Sequence, residues 1–135
     1  MSHLLTAQDV EALRRTYLFA GMEEEQFAAV VALSMPGTLD AGQALFHQGD
    51  IAAGFYWVSE GMVRLFRTSP QGDEKVIELI SPGRFFAEAV LFMGGRYPVN
   101  AVCQQPSRLI AFDGAGFKAW LMADASRCFR LLGGM

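Results

Sequence analysis

A chain of 135 residues with 11 basic and 14 acidic side chains and 52% hydrophobic residues is one domain, long enough to bury a core. Its formal charge of -3 argues against nucleic-acid binding by these residues themselves, because phosphate neutralisation needs a clustered basic surface. No apolar run approaches the roughly 20 residues of a bilayer span, the Met1-Ser2-His3 start has no signal layout, and the chain reads as cytoplasmic. The apolar fraction is high for the size, which predicts an apolar face meant for a partner. Cys103 and Cys128 lie far apart among apolar neighbours, so two free buried thiols are expected rather than a disulfide framework or a CxxC metal site.

Thr6 followed by Asp9 reads as a capped helix start, with Leu5 and Val10 placed as a hydrophobic staple. Val10, Leu13 and Tyr17 share one face of that helix, and Phe19-Ala20-Gly21-Met22 ends it. Glu23, Glu24 and Glu25 supply negative charge to the first turn of a second helix, which accounts for the acidic run without a metal or a basic partner. Phe27, Val30 and Val31 give this helix its apolar stripe. Residues 1–34 therefore form an N-terminal helical segment.

From Met35-Pro36-Gly37 the texture changes. Short β-prone runs alternate with turn signals at Ala41-Gly42, Gln48-Gly49-Asp50, Ser59-Glu60-Gly61, Gln71-Gly72-Asp73, Pro82-Gly83, Gly94-Gly95 and Gln105-Pro106. The runs cover residues 44–47, 55–58, 62–68, 74–80, 99–103 and 108–112. Strands recurring every 8–12 residues or so argue for a sandwich or barrel, and no helix of crossover length separates them. The predicted architecture is mainly β with flanking helices: a jelly roll of the double-stranded β-helix kind over residues 35–113. After Asp113 the helical period returns. Phe117, Trp120 and Leu121 form one stripe, and Asp124 starts a last segment carrying Cys128, Phe129, Leu131 and Leu132. Residues 114–135 thus read as C-terminal helices, the second being the opening of a longer dimerisation helix, because about 8–9 residues with that much apolar surface are marginal alone.

Chemistry concentrates in Gly83-Arg84-Phe85-Phe86-Ala87-Glu88-Ala89-Val90-Leu91-Phe92 and in Arg96-Tyr97-Pro98-Val99-Asn100-Ala101. An apolar run encloses one acid, and a two-glycine turn leads into a strand-like segment. Such a layout holds a ligand's hydroxyls on a carboxylate and its anionic group on backbone amides. Glu88 either performs this role or is structural, paired with an Arg or with amides of its own turn. Arg96 either swings inward to hold an anion or is a solvated loop residue. Phe85, Phe86, Phe92 and Tyr97 either line an apolar pocket for a flat cofactor or are aromatic core. His47 reads as a surface or edge histidine, His3 lies at the terminus, and Met62, Met93 and Met122 read as core filler rather than metal ligands. Nucleophile elbow, HExxH and P-loop are all missing, so no enzyme is expected.

Several of these motifs together resemble the sensor domain of the Crp/Fnr family of bacterial regulators, built on a cyclic-nucleotide-binding domain. Leu45-Phe46-His47-Gln48-Gly49-Asp50 is similar to the family's turn before its third strand. Residues 55–65 resemble its strand pair with Gly61 at the corner, residues 69–75 its hairpin, and residues 82–88 the approach to its phosphate-binding cassette. The usual cassette reads roughly G-E-L/I-G/A, an apolar pair, a short loop and R-S/T-A. Here Ala87 replaces the leading Gly, Glu88 is kept, and Pro98, Val99 and Asn100 stand where the Arg-bearing element belongs. Within the family, the run from Phe86 through Ala87, Glu88 and Ala89 is closest to the Dnr type, regulators of denitrification linked to nitric oxide through haem.

The resemblance implies a ligand-sensing effector domain whose ligand contacts lie among Phe86, Ala87, Glu88, Ala89, Arg96, Tyr97, Pro98, Val99 and Asn100. It implies haem b as candidate cofactor, with a true cyclic-nucleotide module (cAMP or cGMP) as the alternative and a ligand-free interaction domain as a third class. Glu88 would meet the ribose 2′-hydroxyl of a nucleotide. The resemblance also implies a homodimer in the full-length protein, with DNA bound only through a helix-turn-helix domain that these residues do not contain. Cysteine-held iron–sulfur clusters of the Fnr branch are set aside, since no Cys precedes Cys103.

Overall fold

The computed structural model describes residues 5–93 and 95–134, apart from the side chains of 130–134; His3, Gly94 and the Leu131 and Leu132 side chains lie outside the described residues. Helix α1 (Ala7–Arg14) begins where the sequence predicts. Thr6 Oγ1 accepts from the Asp9 amide at 3.1 Å, and the Asp9 carboxylate accepts from the Thr6 amide at 3.0 Å. The helix is shorter than its apolar stripe. Thr16 Oγ1 donates to the Leu13 carbonyl at 2.6 Å, and residues 15–21 continue as turns that carry Tyr17 out of the helix. Helix α2 (Glu24–Val31) has Glu24 and Glu25 in its first turn and buries Phe27 and Val30.

Six strands follow: β1 (Ser34–Leu39), β2 (Ala44–Phe46), β3 (Gly54–Thr68), β4 (Glu74–Ile80), β5 (Phe85–Phe86) and β6 (Asn100–Asp113). All pairings are antiparallel, in the order β1-β6-β3-β4, with β2 on β6 and β5 on β3. Two pairs of expected runs prove to be single long strands. Gly61 takes φ +95°, and a Cβ there would stand 2.2 Å from Ser107 Oγ, so only glycine lets β3 bend over β6 without breaking. Pro106, which has no amide hydrogen, falls in the register shift between Gln105 and Arg108, so β6 runs through the expected turn. The segment from Met35 to Gly37 is strand, ahead of the first expected run at residues 44–47; β1 pairs with β6, and an edge position tolerates Pro36.

Side-chain alternation along β3 and β6 divides the core in two. Phe55, Trp57, Ile110 and Phe112 face the helices, where they pack with Leu13, Phe19, Phe27 and Phe117. On the other face, Val58, Val63, Cys103 and Leu109 fill the interior of the roll with Phe46, Phe86 and Tyr97. Helix α3 (Gly114–Met122) starts on the Asp113 carboxylate, which accepts from the Gly116 amide at 2.8 Å, and buries Phe117 and Leu121. Helix α4 (Ala125–Gly134) is held by Arg127, whose guanidinium lies 4.5 Å from the Trp120 ring centre and donates to the Trp120 carbonyl at 2.7 Å. Three sequence expectations are corrected here. Met93 and Met122 are 76% and 78% exposed instead of filling the core, because both follow the last inward-facing turn of their segments. Cys103 is buried as expected, whereas Cys128 is only half-buried on α4.

One polar contact ties the N-terminal helices to the roll. Asp9 is 4% exposed and accepts from Arg108 on β6 and from Ser59 Oγ on β3, the latter at 3.0 Å. Burial pushes its carboxyl pKa up, but the Arg108 bond and the Thr6 amide outweigh that and hold it below the usual carboxylate range. A depressed folded pKa stabilises fully above the unfolded value of about 4 and is lost as pH falls through the folded one. Asp9→Ala is expected to lower unfolding stability by about 3 kcal/mol, the lower end for a broken buried pair. Asp9→Asn is expected to flatten the acid limb of the melting temperature plotted against pH below about 4. Denaturant titration and calorimetry across pH check both.

Candidate functional site: the cassette between β5 and β6

The cassette is anchored at its entry. The Gly83 amide donates to the Val58 carbonyl at 2.7 Å, the Val58 amide donates to the Arg84 carbonyl at 3.0 Å, and β5 pairs Phe85 and Phe86 with Trp57 and Tyr56. Phe85 therefore faces the helices and Phe86 the roll interior. Ala87 comes next with φ +72°, the one non-glycine residue at positive φ among the described residues. A left-handed Ala costs roughly 1–2 kcal/mol, a cost that glycine at this turn would not carry. Ala87 packs on both hydrophobic clusters, so the strain is held by packing on two sides. Residues Ala89–Phe92 form a short 3-10 turn that buries Leu91 and leaves Phe92 52% exposed.

Glu88 points to neither an Arg nor amides of its own turn. Its Oε2 accepts a hydrogen bond from the Tyr17 hydroxyl at 2.6 Å, across 71 positions of sequence. Tyr17 also meets Phe85 edge-on, with ring centres 5.8 Å apart. Burial, then the bond to Glu88 and its charge, push the Tyr17 hydroxyl pKa above the usual range, so Tyr17 stays a donor throughout the physiological range.

The exit of the cassette lies against the turn that follows β2. The Ala52 amide donates to the Gly95 carbonyl at 2.6 Å, the Tyr97 amide to the Asp50 carbonyl at 3.0 Å, and the Gly49 amide to the Tyr97 carbonyl at 2.8 Å. Arg96 is exposed and donates to the Gly49 carbonyl at 2.9 Å. Tyr97 is buried, its ring stacked on Phe46 at 3.6 Å and 11°, and its hydroxyl donates to the Gly54 carbonyl at 2.8 Å. Tyr56 and Phe86 stack beside them at 5.2 Å, and burial together with the neighbouring Tyr97 raises the Tyr56 hydroxyl pKa. Pro98 is exposed and Val99 packs on the roll interior. Asn100 is 8% exposed; it accepts from the Gln48 amide at 2.9 Å and donates to Thr68 Oγ1 at 3.0 Å, clamping β3 and β6 to the turn.

Of the expected ligand contacts, then, the fold gathers Phe86, Ala87, Tyr97 and Val99 around the roll interior. Glu88, Arg96 and Asn100 each engage a separate partner. Tyr17, Phe46 and Tyr56 complete this region without being among the expected contacts: Tyr17 has no local signal linking it to Glu88, and Phe46 and Tyr56 carry a strand and motif signal but none for a site. His47 is exposed beside Asp50, with Nδ1 3.7 Å from its carboxylate. Among the described residues no group of three or more His, Cys, Asp or Glu side chains could hold a metal ion. For a haem-like group the roll interior does not fit in this arrangement, because its aromatic rings are packed on one another; the apolar cassette residues left free are Phe92 and Met93.

A jelly roll interrupted by a short helical cassette defines a class, and the sequence confirms it. The profile of the cyclic nucleotide-binding domain matches residues 36–124, and the chain belongs to that family, in its Crp/Fnr-type regulator branch. The cyclic AMP receptor protein of Thermus thermophilus is 33% identical over 94 residues, covering 70% of this chain and 44% of that protein. A CRP-like cAMP-activated global transcriptional regulator of Mycobacterium tuberculosis is 25% identical over 82% of this chain and 50% of its own length. The crystal structure of the sensor domain of the transcriptional regulator DNR from Pseudomonas aeruginosa superposes with a TM-score of 0.83 at 31% identity, covering 91% of this chain and 83% of that one. The chain spans about half the length of the curated relatives it matches. No described helix is long and apolar enough to cross a membrane.

Because Ala87 alone carries a left-handed strain at a turn where glycine is free of it, Ala87→Gly is expected to stabilise the domain. The gain should be about 0.5–1 kcal/mol, the strain relieved less the extra freedom of unfolded glycine. Urea titration with an unchanged m value would check it; a loss of stability would show that Ala87 leaves the left-handed region in solution.

Proposed function

We propose that this chain is the effector-sensing domain of a Crp/Fnr-type transcriptional regulator of the Dnr kind, a non-catalytic module in which an effector shifts the cassette between two arrangements. The observation that carries the reading is the cassette itself: Glu88 is kept, while the position of the anion-binding guanidinium is filled by Pro98, Val99 and Asn100. The likeness to the DNR sensor domain supports it. In this reading the effector contacts lie among Phe86, Ala87, Glu88, Ala89, Arg96, Tyr97, Pro98, Val99 and Asn100 once the cassette has shifted, since Phe86 and Tyr97 are stacked into the roll interior in the present arrangement, and the effector is linked to haem and nitric oxide. The exposed Phe92 and Met93 are the residues that would hold a flat apolar group against the cassette, where bound haem would supply the iron that takes nitric oxide. Hemin is expected to give a saturable one-to-one Soret shift that changes further with nitric oxide. Phe92→Ser and Met93→Ser should each weaken it about fivefold or more, by loss of buried apolar area. A shift that does not saturate, or that both variants keep, would sink the haem reading.

Cyclic-nucleotide binding is the second reading, favoured by Glu88 and by the names of the relatives, which include cAMP receptors and a cAMP-dependent protein kinase regulatory subunit. A missing charge-assisted phosphate bond is worth roughly 1.5–3 kcal/mol. Calorimetry should therefore find cAMP bound at least about tenfold more weakly than by a member with the full cassette. Tight binding abolished by Arg96→Ala would show Arg96 leaving the Gly49 carbonyl to hold the phosphate.

We further propose that the full-length protein is a homodimer paired along α4, with DNA reached through a separate helix-turn-helix domain. Phe129, 75% exposed on α4, supports it. Phe129→Glu is expected to leave the melting temperature within the range of a neutral surface change and to shift sedimentation toward monomer. An unchanged association state would place the seam elsewhere.

A further inference from the structure

Two features of the cassette entry are left over from its packing, and they adjoin. Ala87 is strained, and the carboxylate next to it is engaged by Tyr17, 71 positions earlier in the chain. Nothing in the path of β5 requires that engagement, since β5 is already fixed by its pairing with β3 and by the Gly83 and Val58 amides. Tyr17 lies outside α1, on the turns of residues 15–21, so no helix dictates its direction either. Its ring is placed by Phe85 and its hydroxyl by Glu88.

Chemically, the phenol gives Glu88 what a ligand hydroxyl would give it: one O–H donor on one carboxylate oxygen, at 2.6 Å. We propose that Tyr17 is a built-in occupant of the cassette's carboxylate, holding the cassette against the N-terminal turns until the hydroxyl of an effector takes Glu88. This rests on the reading of the cassette as the site of a hydroxyl-bearing effector, the cyclic-nucleotide reading, and adds its regulation. Release of Glu88 removes the side-chain tie beside Ala87 and leaves its strain held by packing alone, so the strain favours opening and the Tyr17 bond opposes it. An effector then pays for breaking one hydrogen bond, and its apparent affinity is reduced by the fraction of molecules in which Tyr17 holds Glu88. The same contact joins effector occupancy to the N-terminal helices, which Asp9 fixes to the roll through Arg108 and Ser59.

Tyr17→Phe is the test, because it keeps the ring on Phe85 and removes only the donor. Amide hydrogen exchange over residues 85–93 is expected to speed up about fivefold to tenfold, the worth of one charge-assisted bond on a partly solvated carboxylate. Glu88→Ala should speed it comparably, and the double variant should add nothing further. With cAMP as the probe, Tyr17→Phe should bind several-fold more tightly than the wild-type domain. Unchanged exchange in Tyr17→Phe, or additive effects in the double variant, would overturn the proposal. So would faster exchange with equal cAMP affinity in both proteins, since Tyr17 would then not compete for the site. If neither protein binds cAMP while the exchange difference stands, the nucleotide reading falls and the restraint by Tyr17 is upheld.

Discussion

Strands β3 and β6 pair along almost their whole length, and every other strand hydrogen-bonds to one or the other of them. Because side chains alternate across a sheet, this one pairing creates two apolar faces at once. One face takes the helices and the other closes into the roll. The register shifts around Glu60 and Met62 bend the pair, which lets the two halves of each strand belong to different parts of the roll. Gly61 is indispensable to that bend, since any side chain there would meet Ser107. The cassette inherits its position from the same pairing through β5, which lies on the first half of β3.

The roll interior is satisfied without a guest. Phe46, Tyr56, Phe86 and Tyr97 stack on one another, and Tyr97 bonds back to the Gly54 carbonyl. Close-packed interiors respond to a ligand by switching between discrete arrangements rather than by stretching. Beside that interior lies the cassette. It is short, it carries the strained Ala87, and at its exit it is tied mainly by backbone bonds to the turn after β2. Arg96 adds to those ties rather than standing free for an anion, its guanidinium donating to a carbonyl of that turn.

At the periphery, polar contacts carry information that the core does not. Asp9 serves twice, capping α1 and reaching Arg108 on β6, so a local helix signal also fixes where the helix docks. Glu88 and Tyr17 make a second long-range contact, beside Phe85. Neither contact can be replaced by hydrophobic burial alone, because each selects one orientation of a segment that apolar packing would allow to slide.

Local chemistry was enough to determine a good part of this molecule. The capping box at Thr6 and Asp9, the acidic start of α2, the turn glycines and the alternating runs each act over a few residues, and their order specified a jelly roll with helices at both ends. The cassette was legible for the same reason, being a contiguous stretch with one acid in an apolar run. What the sequence left open was decided by contacts between residues far apart. That the runs on either side of Gly61 and of Pro106 are single strands follows from their pairing with each other. Whether Glu88 meets an Arg, its own turn or a ligand was likewise open, and it meets Tyr17, a residue whose own neighbourhood reads only as the end of a helix. Met93 and Met122 looked like core because apolar residues usually are, yet which face of a short turn is buried depends on what packs above it. Local pattern fixes elements; the partners of their polar side chains exist only once the elements have docked.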